Sequence, residues 1–451
     1  RVSGKIAARD FSGVLDEAGM MKRSGVWAAW RFGVGAAYLV ALASLGGEAR
    51  AGALWAYEDG GPSVGTASAG QAAMALDAST VRGNPAGMTR LEGNQILVGI
   101  QPLILDARFD RDRDSPFGGG NGGQAGAVFP SGGLYYSHSI TEDFKAGLLF
   151  GSYLGLGVDY DNDWAGRYYS QEATLGTISI IPAAAYRFTP WLSLGGGVGM
   201  QYATLDQRAA INNQPTDGAG FPDGQLRLDD DSWAPVGYVG VLLEPSADTR
   251  FGVTYFSEAD HEFNDAVELR GVGPNLQQSL GRLNGASADL DITIPQSLMV
   301  SAFHQLTPKL ALMGNVTWQD WSRFGETNVT VDSANTTSFT QDRNFNDTWQ
   351  LALGAMYRID QNWLVSSGIA YDTSPVKNKD RTPDLPVDRQ IRLSAGVQYF
   401  FTETNKIGLA YTYMDAGDAD IRQSGPVRGT VEGNYSSNSL HAIALYTNWK
   451  F

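Results

Sequence analysis

From about residue 94 to the C-terminus, apolar and polar positions alternate with a period of two, segment after segment. In one segment Trp349, Leu351, Leu353, Ala355, Tyr357 and Ile359 share a face, with Gln350, Gly354 and Arg358 on the other. In another, Ile391, Leu393, Ala395, Val397, Tyr399 and Phe401 alternate with Arg392, Ser394, Gly396 and Gln398; Ile407, Leu409, Tyr411 and Tyr413 repeat the pattern. Successive side chains of a strand point to opposite faces, so this period predicts strands with one apolar and one polar side. A soluble sandwich would alternate in the same way. Strand length favours a membrane wall, being nearer to about ten residues than to about five, and the apolar faces end in aromatics, as at a lipid interface.

The connections alternate as well. Short turns are expected at Thr141-Glu142-Asp143, Thr189-Pro190, Pro245-Ser246-Ala247-Asp248, Thr307-Pro308, Asp360-Gln361-Asn362 and Thr402-Glu403-Thr404, and long polar loops at 110–124, 205–232, 261–288, 325–344, 374–388 and 415–435. Short turns on one side and long loops on the other are the habit of outer-membrane barrels, and these turns imply about fourteen strands with both ends in the periplasm. The chain closes on Ala444-Leu445-Tyr446-Thr447-Asn448-Trp449-Lys450-Phe451, whose terminal Phe451 resembles the signal read by the barrel-assembly machinery. The expected fold class is therefore all-β: a transmembrane antiparallel β-barrel of about 14 strands.

Residues before the first strand divide in two. Lys22 and Arg23 follow Met21, an apolar run extends from Phe32 to Leu45, and Ala49-Arg50-Ala51 is a small-x-small site. This order predicts a signal peptide cleaved after Ala51, with residues 1–20 ahead of its start Met. Residues 52–93 do not alternate. They carry the small-residue run Ala67-Ser68-Ala69-Gly70-Gln71-Ala72-Ala73-Met74-Ala75, then the turn and cap residues Asp77-Ala78-Ser79-Thr80 and Asn84-Pro85-Ala86-Gly87. Two readings stand: a periplasmic tail, or a plug folded into the lumen. The expected division is 1–51 extension and signal peptide, 52–93 N-terminal hatch, 94–451 barrel.

Composition supports the barrel. The chain has 55 Gly, 19 Tyr, 19 Phe and 11 Trp but only 18% charged residues, and a mean hydropathy of −0.20 excludes a bundle of membrane-spanning helices. A net charge of −15 argues against a nucleic-acid partner, which would want a basic face. It suits solvated loops, or loops holding divalent cations beside lipopolysaccharide and the other outer-membrane lipids. With 0 Cys, disulfides, thiolate metal sites and a cysteine nucleophile are excluded. His138, His261, His304 and His441 are scattered without metal-ligand spacing, and neighbours on a strand such as Ser137, His138 and Ser139 cannot pair with one another. No catalytic residue, metal or cofactor is expected.

Asp77-Ala78-Ser79-Thr80 with Asn84-Pro85-Ala86-Gly87 resembles the N-terminal hatch of the FadL-type long-chain fatty-acid transporters, a family that includes aromatic-hydrocarbon importers. Three further stretches are similar to the same family, in matching order along most of residues 60–451. They are Pro295-Gln296-Ser297-Leu298 through Trp318-Gln319-Asp320-Trp321-Ser322-Arg323-Phe324; Asn346-Asp347-Thr348-Trp349 to Tyr371-Asp372-Thr373-Ser374-Pro375-Val376; and Arg381-Thr382-Pro383-Asp384-Leu385-Pro386 through Asp388-Arg389 to Ser394-Ala395-Gly396. Leu76, where an acid often stands, and Val81-Arg82-Gly83, where an aromatic is common, depart from the pattern. The resemblance implies a fourteen-stranded barrel plugged by the hatch, passive capture of a hydrophobic small molecule in an apolar site, and lateral release through a gap at a kinked third strand. A general diffusion porin, and a surface adhesin or receptor anchored by a barrel, are the alternatives. A monomer is expected.

Candidate ligand-binding or gating residues follow. Asn84, Pro85 and Ala86 belong to the hatch motif. The third strand, about 143–157, contains Gly147, Gly151, Gly155 and Gly157; glycine weakens a strand and tolerates bulges, so a wall opening is expected near Gly151–Gly157. Met299 and Phe303 share the inward face, either lining an apolar patch or packing on the hatch. Arg358 and Arg392 also face inward, to pair with a carboxylate head or with the chain's own acids. Trp318, Trp321 and Phe324 are expected as girdle aromatics or as part of an external capture groove.

Overall fold

Hydrocarbon offers no partner to a backbone N–H or C=O, so a sheet that spans it must close. In the computed structural model, which describes residues 53–451 apart from 56, 153, 281–286, 333–336 and 426, it does. Fourteen antiparallel strands form a closed barrel: β1 (Gln95–Arg111), β2 (Val128–Ser139), β3 (Phe144–Gly151, continued by Leu154–Asp159), β4 (Glu172–Thr189), β5 (Leu192–Ile211), β6 (Gly224–Leu243), β7 (Thr249–Phe256), β8 (Ser297–Gln305), β9 (Leu310–Gln319), β10 (Thr348–Arg358), β11 (Trp363–Asp372), β12 (Gln390–Phe400), β13 (Lys406–Asp415) and β14 (Gly429–Lys450). Each pairs with its neighbours, and β14 returns to β1 from Gln95↔Lys450 to Arg111↔Gly433. The expected leader, residues 1–51, lies outside the described residues.

Burial follows the alternation. Leu353 is 59% exposed on the outer face, while Gln350 on the same strand is 1% exposed on the inner one. Outward Leu351, Leu353, Ile369, Leu393 and Leu409 form the apolar belt. It is bordered at the short-turn end by Phe188, Trp191, Trp363, Phe401 and Trp449, and toward the long loops by Trp233, Trp349 and Tyr371. At the short-turn end Phe401 stacks with Trp449, and Phe451 with Tyr136.

All six expected short turns join consecutive strands. The long stretches differ from expectation. Residues 205–232 are largely strand: β5 and β6 run on as a polar ribbon whose charges are compensated across strands, Arg227 with Asp206 at 2.8 Å and Arg208 with Glu172 at 3.3 Å. Its density of charge hides such an extension from a pattern search. The stretches 261–288 and 325–344 contribute to a second, four-stranded sheet of Ala259–Ala266, Ser287–Ile294, Glu326–Asp332 and Thr337–Asp342. Within 415–435, Ile421–Gly425 pairs with the start of β14. Residues 160–171, outside the long loops expected above, form the connection between β3 and β4.

Among the long loops, 373–389 is organised by Arg381, which is fully buried. Its guanidinium donates to the carbonyls of Val387, Val376 and Asp420 and to Asn378 Oδ1, and pairs with Asp388 at 3.2 Å. One side chain thus ties two loops together.

The belt makes a direct prediction. Leu353→Arg places a guanidinium at mid-height on the outer face and lowers folding stability in lipid vesicles by about 2–4 kcal/mol. A variant as stable as the parent would contradict the outward assignment of this face.

Candidate functional site

Residues 57–93 lie inside the barrel and are buried almost throughout. Small residues allow this, since Ala67, Ala69, Ala72 and Ala73 let the backbone approach the wall. Inward-facing wall residues meet the segment from nearly every side. Gly60 N–H donates to Gln101 Oε1, Ser68 Oγ to Gln350 Oε1, Gly70 N–H to Asn315 Oδ1 and Ala72 N–H to Ser301 Oγ. Tyr135 and Tyr238 donate their hydroxyls to the carbonyls of Asp59 and Val81. At Gly252 and Gly368 the wall lacks a side chain because the segment's backbone occupies its place: a Cβ would stand 1.9 Å from the Ala72 carbonyl oxygen and 2.0 Å from that of Thr66.

Charge reinforces the seating. Arg392, 1% exposed, donates to Glu58 at 3.1 Å and pairs with Asp372, so one wall guanidinium bridges a segment acid and a wall acid. Its guanidinium also lies 5.0 Å from the Tyr57 ring centroid. Lys406 meets Asp77 at 2.6 Å, both buried. Arg250 donates to the carbonyls of Ala73 and Met74 and stacks on Phe303 at 3.9 Å.

The sequence-selected residues fall into three places. Asn84 is a pin: its amide donates to the carbonyls of Ala72 and Val241, both at 2.8 Å, while its Oδ1 accepts from Ala86 N–H. Pro85 and Ala86 begin a short 3-10 helix, Pro85–Arg90, held against β5 and β6; Cβ atoms at Gly195 and Gly240 would collide with it. Phe303 packs on Ala67, Ala69 and Met74 of the segment. Met299, with Gln71, Arg82 and Phe256, lines a cavity of about 20 Å³, too small for a substrate. Arg358 has the inward strand position but sits half-exposed at the short-turn end, over the Phe400 ring at 4.4 Å and donating to the Gln361 carbonyl, remote in register from Arg392. Trp318 keeps a girdle position, with its indole N–H on Asp347. Trp321 and Phe324 do not: the helix Trp321–Gly325 turns them into the core beside Phe345, Val376 and Leu385.

Gly151 and Gly155 flank a break in the wall. β2 and β3 pair from Ser139↔Lys145 to Gly133↔Gly151. Beyond it, among the described residues, Leu154–Asp159 pairs with β4 and not with β2. Val128–Gly132 of β2 pairs with β1 alone. The edge so exposed is met at Leu154 and Gly155 by the backbone of Ala53–Trp55, just ahead of the buried segment.

A cavity of about 490 Å³ lies at the long-loop end. Leu226, Leu228, Leu276, Ile211, Ala173 and Val427 supply apolar wall, and Tyr168, Tyr169, Arg208, Arg343, Asp384 and Arg428 supply polar edges. Burial tends to raise the Asp384 carboxyl, but the Arg343 guanidinium outweighs it and holds that carboxyl below the usual range. Burial and a bond to Asp223 push the Tyr168 hydroxyl up. Arg208 is held by Asp159 and Glu172. Arg428 is exposed and stacks on the Tyr169 ring at 5.6 Å, with no carboxylate partner among the described residues. Its lining comes from seven separate stretches of chain, so no single motif announces it.

A closed fourteen-strand barrel with an apolar outer belt and aromatic borders defines a multi-pass protein of the bacterial outer membrane. The chain belongs to the outer membrane protein transport protein family (OMPP1/FadL/TodX), whose model matches residues 42–451. It is 29% identical over 406 residues to the long-chain fatty acid transport protein of Escherichia coli strain CFT073, covering 84% of this chain and 90% of that protein. It is 28% identical to outer membrane protein P1 of Haemophilus influenzae, covering 91% and 95%. Among solved structures it is similar to a Pseudomonas aeruginosa FadL homologue (TM-score 0.79, 22% identity, 88% of this chain and 99% of that one). It is also similar to the Ralstonia pickettii toluene transporter TbuX (TM-score 0.60, 18% identity, 84% and 95%). The structural likenesses speak to the fold. The family is one of transporters rather than enzymes.

The seating interactions predict how the segment is lost. Arg392→Ala leaves two buried carboxylates uncompensated, at a cost of about 3–5 kcal/mol, and Gly252→Val drives a side chain into the Ala72 carbonyl. Both raise hydrogen exchange in residues 57–93 while the barrel strands stay protected. Unchanged protection of that segment in both variants would show that the contacts do not hold it.

Proposed function

We propose that this chain is a passive importer of hydrophobic small molecules, with residues 57–93 acting as a hatch that closes the axial route. The observation that carries this reading is the pairing of a filled lumen with an interrupted wall: the axis is obstructed where the β2–β3 ladder stops at Gly151. A hydrophobic molecule that cannot pass the hatch has an apolar exit at that break. Moving sideways also keeps it out of water, at a saving of about 0.8 kcal/mol for each CH₂. A general porin needs an open, hydrated and charged lumen, which the ion-paired segment here fills.

Capture falls to the cavity at the external, long-loop end, whose leucine-rich wall suits an acyl chain or ring and whose volume of about 490 Å³ lies in the range of small-molecule sites. The names of the relatives offer two substrate classes, long-chain fatty acids and toluene-type hydrocarbons. The unneutralised Arg428 at the rim favours the acid, since it offers a carboxylate head a partner. Arg208 and Arg343 are engaged with the chain's own acids. The hatch is expected to close against the barrel in a monomer, with Phe451 presented for assembly and the acidic loops facing lipopolysaccharide.

Two measurements test the reading. Expression in a strain lacking its own carrier restores uptake of a long-chain fatty acid, while the purified protein shows little ion conductance in planar bilayers. A large steady conductance without uptake would instead mark a porin. Arg428→Ala lowers the apparent affinity for a fatty acid by at most about fivefold, as suits an exposed charge, and leaves toluene uptake unchanged. Equal loss for both would remove the carboxylate from this site.

A further inference from the structure

Among the described residues, the side chain of Phe129 reaches across the break in the wall. Phe129 belongs to the part of β2 that pairs only with β1. Its ring is 8% exposed and reaches over the interrupted interval onto the far side. There it rests on two glycines that face each other across β3 and β4, Gly155 and Gly176. A Cβ on Gly155 would lie 3.1 Å from the Phe129 ring, and one on Gly176 3.8 Å from it. The pair of glycines is thus a shelf whose missing side chains make room for an aromatic ring belonging to the other lip. The remaining contacts of Phe129 are with the apolar cluster of Leu103, Val158 and Ala173 above the break. No hydrogen bond fixes the ring, because phenylalanine has none to make.

We propose that Phe129 is a specificity-determining residue: its ring, seated on Gly155 and Gly176, sets the free width of the wall opening and so selects slender over bulky hydrophobic molecules. This deepens the lateral-release reading above and rests on it. A ring held only by packing can swing without breaking a polar contact, at the cost only of the apolar contacts its burial supplies. A molecule able to displace it sideways passes. A broad one must move the strand backbones as well, at the cost of their remaining ladder bonds.

The test compares uptake of a straight-chain fatty acid with that of a pyrene-labelled one in whole cells, using barrels verified as folded by heat-modifiable gel mobility. Phe129→Ala raises pyrene-acid uptake relative to the straight chain by about three- to tenfold, the range that removing one packed ring opens. Phe129→Trp keeps or lowers the ratio. Gly176→Ala, whose methyl finds ordinary contact, leaves the ratio unchanged, whereas Gly155→Ala crowds the ring and raises it. A merely structural ring would change both uptakes together and leave the ratio flat; that result overturns the proposal. The chain has 0 Cys, so a further arm is clean: cysteines at Ser131 and Ser152, joined by a short bismaleimide, tie the two lips together. If this link stops uptake while Phe129→Ala keeps the parental ratio, the wall is the exit and Phe129 does not set its width. If the link leaves uptake intact, the lateral exit itself fails.

Discussion

The constraint on which the rest depends is that the bilayer interior cannot hydrogen-bond to a peptide group. It forces the strands to close, from β1 back to β14, and it makes any unpaired stretch within the wall expensive unless something else covers it. At the β2–β3 break that cover comes from inside the protein: Ala53–Trp55 on the free edge of Leu154 and Gly155, and an aromatic side chain over the adjacent glycines. On the proposed function it is this covered break, rather than any particular lumenal residue, that would serve as the exit.

The second consequence concerns charge. Glu58, Asp77, Asp372, Arg392 and Lys406 are all buried within the barrel. Buried ions are a poor way to add stability, because their desolvation can exceed their attraction. They are an effective way to fix position, because a segment shifted by one residue would leave each of them alone. Together with wall glycines that accept the segment's backbone at Gly252 and Gly368, they specify one depth and one rotation for residues 57–93. Hydrophobic packing alone would tolerate several.

Much of the barrel was legible in the sequence because lipid imposes a strict period: wherever outward residues had to be apolar, as from Trp349 to Ile359, the alternation was unambiguous, and the six short turns fell where Pro, Asp, Asn and Thr interrupted it. Legibility failed where that pressure is absent. The β5–β6 extension is dense in charge, so its ion-paired residues, Asp206 and Arg227 among them, look like loop. The turn of Trp321 and Phe324 into the core depends on a helix of five residues, too short to show a period. For the candidate sites, strand parity put Arg392, Met299 and Phe303 inside, and glycine content pointed to the break. Parity carries no height, so it could not show that Arg358 stands at the short-turn end, at a different level from Arg392. The cavity at the long-loop end is assembled from distant loops, and nothing local encodes it.

The ion pair between Glu58 and Arg392 joins residues 334 positions apart, and Asp77 likewise waits for Lys406 on the penultimate strand. The charged contacts of residues 57–93 therefore form only once the last strands are present, although Gln101 and Tyr135 on the first two strands already offer Gly60 and Asp59 hydrogen bonds. Loop closure of this span is slow to reward, so the full seating of the small, alanine-rich segment comes late in barrel assembly. Its composition suits that wait: few large apolar groups are left to stick to anything else. The ion pairs of Glu58 and Asp77 are complete only when β12 and β13 are in place, which links the final seating of the segment to closure of the barrel.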